Sequence, residues 1–249
     1  MRRLFDRPIA HRGLHDRSRG IIENSRSAFE AAIARGYAIE CDVQLSSDGV
    51  PFIFHDDTFD RLTSVTGSSG DRSIGDVESL VLKDSVAGDR AQRLSEFLEQ
   101  TVGRTMLQIE LKRQRTPERI RQLASAVSRA IAPFSDAMAL ESFDPRLIAA
   151  LRAEGVTAPI GIITYDYNDE RSDTSAPQRF ALRHLLHWPW TRFDFISCNT
   201  RNLDLPAVKF FRSSGMEVTA WTIKSEQDAR DALASADQIV FEGYLPEIG

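Results

Sequence analysis

The first 112 residues contain side chains of the types needed to hold a divalent metal and cleave a phosphodiester. They comprise two imidazoles, three carboxylates and two cations, and each ends or follows a segment typical of a β-strand. Because the carboxyl ends of parallel strands meet at one edge of a sheet, we expect these side chains to lie close together. The set consists of His11, Arg12, Glu40, Asp42, His55, Glu110 and Lys112.

The carboxylates are spaced for metal binding. Glu40 and Asp42 lie two residues apart on a predicted strand, which places both on one face and Cys41 on the other. Two such carboxylates repel each other unless a cation lies between them. Glu110 and Lys112 repeat the spacing at the end of another strand. Carboxylate ligands favour Mg²⁺ or Ca²⁺, with Mn²⁺ as an alternative, so we predict one divalent cation at Glu40, Asp42 and Glu110.

The two histidines are candidates for proton transfer. Cleavage of a phosphodiester needs a base for the attacking hydroxyl and an acid for the leaving alkoxide, and imidazole serves both roles near neutral pH. His11 and His55 each end a predicted strand, and Asp56 could orient the second ring. Arg12 could bind a phosphate in a bidentate manner, and Lys112 could hold a phosphate oxygen.

Each of these residues also has a structural interpretation. Isolated carboxylate pairs are usually solvated, and a histidine at a strand end is more often structural than catalytic. Arg12 could form an ion pair with a loop carboxylate, and Glu110 and Lys112 could neutralise each other. Charge favours the combined site, because the cluster attracts a phosphodiester anion only once a divalent metal is bound. The remaining histidines, expected to be structural or exposed, are His15, His184 and His187.

The elements that would position these residues alternate between strand and helix, which predicts βαβ units and a parallel sheet. About eight units in 249 residues favour an α/β fold of the TIM-type (β/α)8 barrel over an open sheet. The predicted barrel strands are Pro8–His11, Tyr37–Leu45, Thr105–Leu111, Ala137–Glu141, Ala158–Thr164, Phe193–Cys198, Met216–Ile223 and Gln238–Phe241. Predicted helices include Ser25–Arg35, Leu94–Thr101, Pro117–Ile131 and Pro177–His187.

Some segments depart from this alternation. Residues 58–93, rich in Ser, Gly and Asp, are predicted to form a small insertion after the second barrel strand of a single domain spanning 1–249. Val50–His55 is predicted as a strand before it. Asn24 is the expected N-cap of the first helix, and Trp188-Pro189-Trp190 is expected to form a turn. Residues 165–177 are expected to form a loop near the barrel mouth.

Composition narrows the class of protein. The net charge of −5 argues against a nucleic-acid binder, which would show a basic surplus. Cys41 and Cys198 form no CxxC pair, so a zinc site or disulfide framework is not expected and free thiols fit a reducing compartment. The basic start has no apolar region after it, and no apolar run is long enough to span a membrane. We therefore expect a cytoplasmic protein; the oligomeric state is left open.

The order and spacing of the motifs resemble those of the glycerophosphodiester phosphodiesterases, TIM-barrel enzymes related in mechanism to bacterial phosphatidylinositol-specific phospholipases C. The segments that carry the resemblance are His11-Arg12-Gly13, Glu23-Asn24-Ser25, Glu40-Cys41-Asp42, His55-Asp56, Asp60-Arg61-Leu62-Thr63 and Gln108-Ile109-Glu110-Leu111-Lys112. Ser142-Phe143-Asp144 and Val218-Thr219-Ala220-Trp221-Thr222 are weaker echoes. Many members end their last strand with a Thr-Asp pair, whereas this chain has Phe241-Glu242.

The resemblance implies hydrolysis of a small glycerophosphodiester to an alcohol and sn-glycerol 3-phosphate. In the related mechanism the neighbouring glycerol hydroxyl attacks phosphorus, and water then opens the cyclic phosphate. The implied roles are acid and base for His11 and His55, metal ligation for Glu40, Asp42 and Glu110, and substrate binding for Arg12, Lys112 and Trp221. Two alternatives remain at this point: a lyase that stops at the cyclic phosphate, and a barrel that binds phosphodiesters without turnover.

Overall fold

Eight parallel strands close into a barrel in the computed structural model, which describes residues 4–134, 138–168 and 174–248. In chain order the strands are β1 (Ile9–Ala10), β2 (Ala38–Leu45), β3 (Pro51–Ile53), β4 (Leu107–Leu111), β5 (Met138–Ser142), β6 (Ile160–Thr164), β7 (Phe195–Asn199), β8 (Glu217–Ile223) and β9 (Gln238–Phe241). The barrel closes because β1 pairs with both β2 and β9. β3 lies beside the barrel, antiparallel to β2. The predicted TIM-type α/β barrel is confirmed.

Helices connect the barrel strands and cover the outside of the sheet. They are α1 (Arg26–Ala34), α2 (Ile74–Ser79), α3 (Leu94–Thr101), α4 (Pro117–Ile131), α5 (Pro145–Ala153), α6 (Ala176–Arg183), α7 (Trp188–Thr191), α8 (Pro206–Ser213) and α9 (Glu226–Leu233). Local sequence sets where they begin: α4 and α5 each start with proline after a capping side chain, Thr116 or Asp144. Among the described residues, none of the helices is long and apolar enough to cross a lipid bilayer.

The structure corrects several local predictions. Ser25, not Asn24, is the N-cap of α1, since its side chain accepts the Ala28 N–H. Trp188–Thr191 is a short helix rather than a turn. The helix predicted over Pro177–His187 ends at Arg183, because Leu185 has a φ of 53°. Ala137, the predicted start of a strand, and residues 169–173 of the predicted loop lie outside the described residues.

The period of two along each strand separates the apolar outside of the sheet from a polar interior. On β2, Ile39, Cys41 and Val43 pack under the helices, whereas Glu40 and Asp42 point into the barrel. The end of the barrel near the strand starts is filled by apolar side chains, namely Ile9, Ala38, Ala139, Phe195 and Val240. The polar residues therefore occupy the opposite end, where the strands terminate.

The apolar plug requires a glycine on β6. A Cβ built on Gly161 would lie 2.4 Å from the ring of Phe195 on the neighbouring strand. Real Cβ atoms do not approach a ring this closely, so the absence of a side chain lets the phenyl ring fill the barrel axis.

A small insertion follows the second barrel strand, as predicted. After β3 the chain contains a 3₁₀ turn at Ser69–Asp71 and the short helix α2 before α3 resumes the barrel. Its apolar residues, including Phe59, Leu62, Val77 and Leu82, pack with Phe52 and Phe54 in a cluster separate from the main core. Phe54 is the residue before His55, so this cluster fixes the approach of that histidine to the barrel mouth.

Candidate metal centre and active site

Three carboxylates meet inside the barrel mouth. Glu40 and Asp42 project from β2, and Glu110 projects from β4 at the position paired with Asp42. One oxygen of each lies within 4.8 Å of the others, and the three residues are 3%, 1% and 8% exposed. The cluster therefore follows from the strand register. Glu40 and Asp42 lie on the same face of β2, and Glu110 lies on that face of β4 directly beside Asp42.

Burial, followed by mutual repulsion, governs the protonation of this cluster. Burial, together with the charges of Asp42 and Glu110, raises the pKa of Glu40 well above its usual range. Burial likewise raises the pKa of Glu110 to about 6, although Lys112 opposes the shift. Burial would also raise the pKa of Asp42, but Lys112, His55 and Arg12 outweigh it and lower that pKa.

This donor set fits a hard divalent cation. Three buried carboxylates repel one another when all are ionised. A doubly charged ion that prefers oxygen ligands stabilises their ionised form. Two of them are also oriented by neighbouring donors: the Arg12 N–H donates to Glu40 (2.8 Å) and Asn24 Nδ2 donates to Asp42 (2.7 Å). Such supporting hydrogen bonds are typical of metal-ligating carboxylates.

Two cations border the carboxylates. Lys112 Nζ lies 2.8 Å from Glu110 and 3.2 Å from Asp42. Arg12 Nη1 lies 2.6 Å from the loop carboxylate of Glu23, while its Nε lies 3.3 Å from Asp42 and, among the described residues, is buried without a hydrogen-bond partner. The ion pairs anticipated for Arg12 and Lys112 are thus present, yet both cations still face the metal-competent cluster.

His11 follows β1 and bonds to a carboxylate at the end of the barrel. Its Nδ1 lies 2.7 Å from Glu242 Oε2, and its Nε2 lies 4.0 Å from Glu40. Glu242 also contacts Lys224 at 2.8 Å. The bond to His11, despite the opposing effect of burial, lowers the pKa of Glu242, with Lys224 adding to the shift. The carboxylate is therefore ionised where it faces the ring, which favours an Nδ1–H and leaves Nε2 toward the cluster.

His55 lies just beyond β3 and is held by a chain of ion pairs. Its Nδ1 lies 2.7 Å from Asp56, so neighbouring side chains that diverge along a strand converge here once the strand has ended. Arg61 from the insertion donates to Asp56 (2.7 Å) and to Glu23 (2.6 Å). Burial raises the pKa of Glu23, but the bonds to Arg61 and Arg12 outweigh it and lower that pKa to about 2.

The structure brings together every residue expected at the site except for Trp221, which lies on the far side of the mouth at the end of β8. This side chain is half-buried, contacts Phe143 and, among the described residues, has an indole N–H without a hydrogen-bond partner. A further carboxylate, Glu141 on β5, lies beneath the mouth and accepts a hydrogen bond from Gln108 (2.8 Å). Burial raises the pKa of Glu141 to about 8.

Several residues of the site were not identified from the sequence. Asn24 was expected only to cap a helix, but it orients Asp42 from a left-handed backbone with a φ of 54°. His15 was expected to be structural, yet it lies 3.9 Å from Glu242. The motif Asp60-Arg61-Leu62-Thr63 contained the signal for Arg61, whereas nothing local marks Glu23 or Glu242 as partners of distant residues.

Comparisons with known proteins agree with this geometry. The family model described as the glycerophosphoryl diester phosphodiesterase family matches residues 11–239. A glycerophosphodiester phosphodiesterase of Caldanaerobacter subterraneus is 36% identical over 96 residues, 36% of this chain and 38% of that protein. Human glycerophosphodiester phosphodiesterase 1 is 38% identical over 74 residues, 29% of this chain and 21% of that protein. The chain thus matches well under half the length of these relatives.

Solved structures share the fold over nearly the whole chain. A phosphodiesterase from Oleispira antarctica, in complex with its product sn-glycerol-3-phosphate, has a TM-score of 0.76 at 22% identity and covers 94% of this chain and 91% of its own. A glycerophosphodiester phosphodiesterase from Agrobacterium tumefaciens has a TM-score of 0.69 at 21% identity, with 94% of both chains covered.

Proposed function

Because the chain belongs to the glycerophosphoryl diester phosphodiesterase family, we propose that it hydrolyses a small glycerophosphodiester to an alcohol and sn-glycerol 3-phosphate. The observation that supports this most directly is the joint placement of two carboxylate-bonded imidazoles at a cluster of three buried carboxylates. The protein is a single barrel domain, and residues 58–93 form an insertion within it.

Glu40, Asp42 and Glu110 are the ligands of one divalent cation, Mg²⁺ or Ca²⁺, with Mn²⁺ as an alternative. When bound, the cation neutralises charge on the phosphate oxygens and lowers the barrier to attack at phosphorus. Arg12 and Lys112 bind the phosphate from the protein side: Arg12 has a buried Nε–H that faces the cluster, and Lys112 has one N–H donor beyond the two directed to Asp42 and Glu110.

His11 and His55 carry the protons. One imidazole accepts the proton of the glycerol hydroxyl as its oxygen bonds to phosphorus, and the other protonates the alcohol oxygen as its bond to phosphorus breaks. In the second half the roles of the two imidazoles reverse. One accepts a proton from water as the water oxygen bonds to phosphorus, and the other protonates the glycerol oxygen as the cyclic phosphate opens. Glu242 and Asp56 hold the rings through Nδ1, so Nε2 is the atom that exchanges the proton.

The reaction is tested by phosphorus NMR with the purified protein, Mg²⁺ or Ca²⁺, and glycerophosphocholine or glycerophosphoethanolamine. We expect a signal of glycerol 3-phosphate that stops growing when a chelator removes the metal. Accumulation of cyclic phosphate would instead identify a lyase. Full activity in the presence of chelator would refute the metal requirement. Binding of the substrate without turnover would refute the proposed phosphodiesterase activity.

The roles of the imidazoles are tested by replacing them. His11→Ala and His55→Ala are each expected to lower kcat by about 100-fold or more, the usual contribution of a general acid or base. His184→Ala is the matched control, because that ring stacks on Phe180 of α6 and is expected to leave kcat unchanged. Wild-type rates in the first two variants, with unchanged circular dichroism, would contradict the assignment.

A further inference from the structure

Three aromatic side chains stand together at the barrel mouth. Phe143 follows β5, Tyr165 follows β6 and Trp221 lies near the end of β8. All three are partly exposed rather than buried, although the aromatic residues of the core are almost completely covered. Trp221 also packs against the apolar plug, and the placement of all three rings toward the ends of their strands puts them where a ligand enters.

The rings meet nearly at right angles. Phe143 lies 5.7 Å from Trp221 with an interplanar angle of 84°, and 6.1 Å from Tyr165 with an angle of 74°. Tyr167, which is 6% exposed, packs on Tyr165 at 4.0 Å and supports it from behind. Perpendicular walls that share edges form a corner of aromatic surface, which is the arrangement that surrounds a cation with the negative faces of rings.

The corner adjoins the proposed phosphate site. Ser142 Oγ donates to the Leu111 carbonyl at 2.7 Å, which ties the end of β5 to the end of β4. Phe143 and Lys112 are the next residues on these two strands, and neighbouring strands lie about 4.8 Å apart. When a phosphodiester is held at Lys112, its alcohol group therefore needs to span only a few covalent bonds to reach the rings.

The chemistry of the rings selects among alcohols. Phe143 offers no hydrogen-bond acceptor, Trp221 only an N–H donor and Tyr165 a single hydroxyl oxygen, so the rings cannot satisfy the three N–H groups of a primary ammonium. A quaternary ammonium has no N–H group and is attracted by the ring faces alone. The corner thus matches a trimethylammonium group better than an ethanolamine, glycerol or inositol group.

We propose that Phe143, Tyr165 and Trp221 form a binding site for a quaternary ammonium group, so that the enzyme selects the choline ester among glycerophosphodiesters. This rests on the proposed phosphodiesterase function and deepens it, because it assigns the alcohol that leaves. Trp221 acts here as a wall of the site, and its indole N–H is buried without a hydrogen-bond partner among the described residues.

The first test compares glycerophosphocholine with its 3,3-dimethylbutyl analogue, in which carbon replaces the charged nitrogen. The two esters have the same shape, so their kcat/KM ratio reports the charge alone. We expect a preference of about tenfold for the choline ester, carried mainly by KM. Phe143→Leu and Tyr165→Leu should bring the ratio near one, whereas Tyr165→Phe, which keeps the ring, should retain it. Equal kcat/KM values in the wild type, or an unchanged ratio in the leucine variants, would overturn the proposal.

The second test needs no turnover and separates this site from the reaction. In the variant W188F/W190F, Trp221 is the remaining tryptophan of the chain, because the sequence contains three. Titration with tetramethylammonium should change its fluorescence in a saturable manner, and neutral tert-butanol should not. Adding Phe143→Leu and Tyr165→Leu should abolish the change. An unresponsive Trp221 refutes the site, whereas a responsive Trp221 in a protein without phosphodiesterase activity refutes the proposed reaction alone.

Discussion

At the scale of single residues, the two imidazoles are held in the same way by unrelated parts of the chain. Glu242 follows the last strand and Asp56 lies just before the insertion, yet each bonds to the Nδ1 of its histidine at 2.7 Å. Each carboxylate is also bound by a second cation, Lys224 or Arg61. Because this second contact fixes the carboxylate, the ring is oriented before substrate arrives, which is how supporting residues contribute to catalysis.

Glu242→Gln tests this positioning. The amide no longer holds the Nδ1 side of the His11 ring with a charged hydrogen bond, so the ring loses its fixed orientation and we expect kcat to fall by about 10-fold to 100-fold. Lys224→Gln keeps the carboxylate and removes only its second contact, so kcat should fall less in this variant than in Glu242→Gln. An unchanged kcat in Glu242→Gln would show that the contact is not used.

At the scale of elements, strand periodicity was sufficient to predict where the carboxylates lie. Glu40, Asp42 and Glu110 required only a period of two and a parallel register, and the boundaries of α3 and α4 follow from local capping and helical spacing. The partners of the histidines could not be predicted. Glu242 is 231 residues from His11, and Arg61 is 38 residues from Glu23, so these contacts depend on barrel closure and on the path of the insertion.

The contact between β6 and β7 gives a prediction for the barrel itself. In Gly161→Ala the new Cβ would meet the Phe195 ring, and we expect a loss of about 1–3 kcal/mol in the free energy of unfolding. Gly75→Ala in α2 is the control, because its Cβ meets nothing closer than 4.0 Å and alanine favours a helix. Urea unfolding monitored by circular dichroism measures both. Equal stability of the Gly161 variant and the wild type would show that the ring can move aside.

At the scale of the whole molecule, the barrel interior changes from apolar to charged along its axis. The plug around Phe195 excludes water at one end, whereas Glu141 and the three candidate ligands crowd carboxylates at the other. Burial of four carboxylates costs stability unless protons or a cation compensate them. The folded protein is therefore expected to lose stability as the pH rises when no metal is supplied.

Glu141→Gln isolates one part of this effect. Burial raises the pKa of Glu141 to about 8 from 4.5, so the folded state holds a proton that the unfolded state has lost across this window. Stability therefore falls as pH rises from about 4.5 to about 8, at up to about 1.4 kcal/mol per pH unit, and is unaffected below it.

The amide variant should remove this slope, and in metal-free buffer it should unfold at a higher urea concentration than the wild type at pH 8. Glu99→Gln on the exposed face of α3 should leave the slope as it is. Parallel pH profiles for Glu141→Gln and the wild type would contradict the expectation.

The ion pairs through Arg61 limit how this barrel can be recombined with others. Arg61 belongs to the insertion, but its two carboxylate partners, Asp56 and Glu23, belong to segments outside it. A chimera that received a foreign insertion without an arginine at this position would leave these two carboxylates beside His55 without the cation that joins them. The insertion therefore has to be transferred together with the loop that contains Glu23. We expect selection against homologues in which the insertion alone is exchanged.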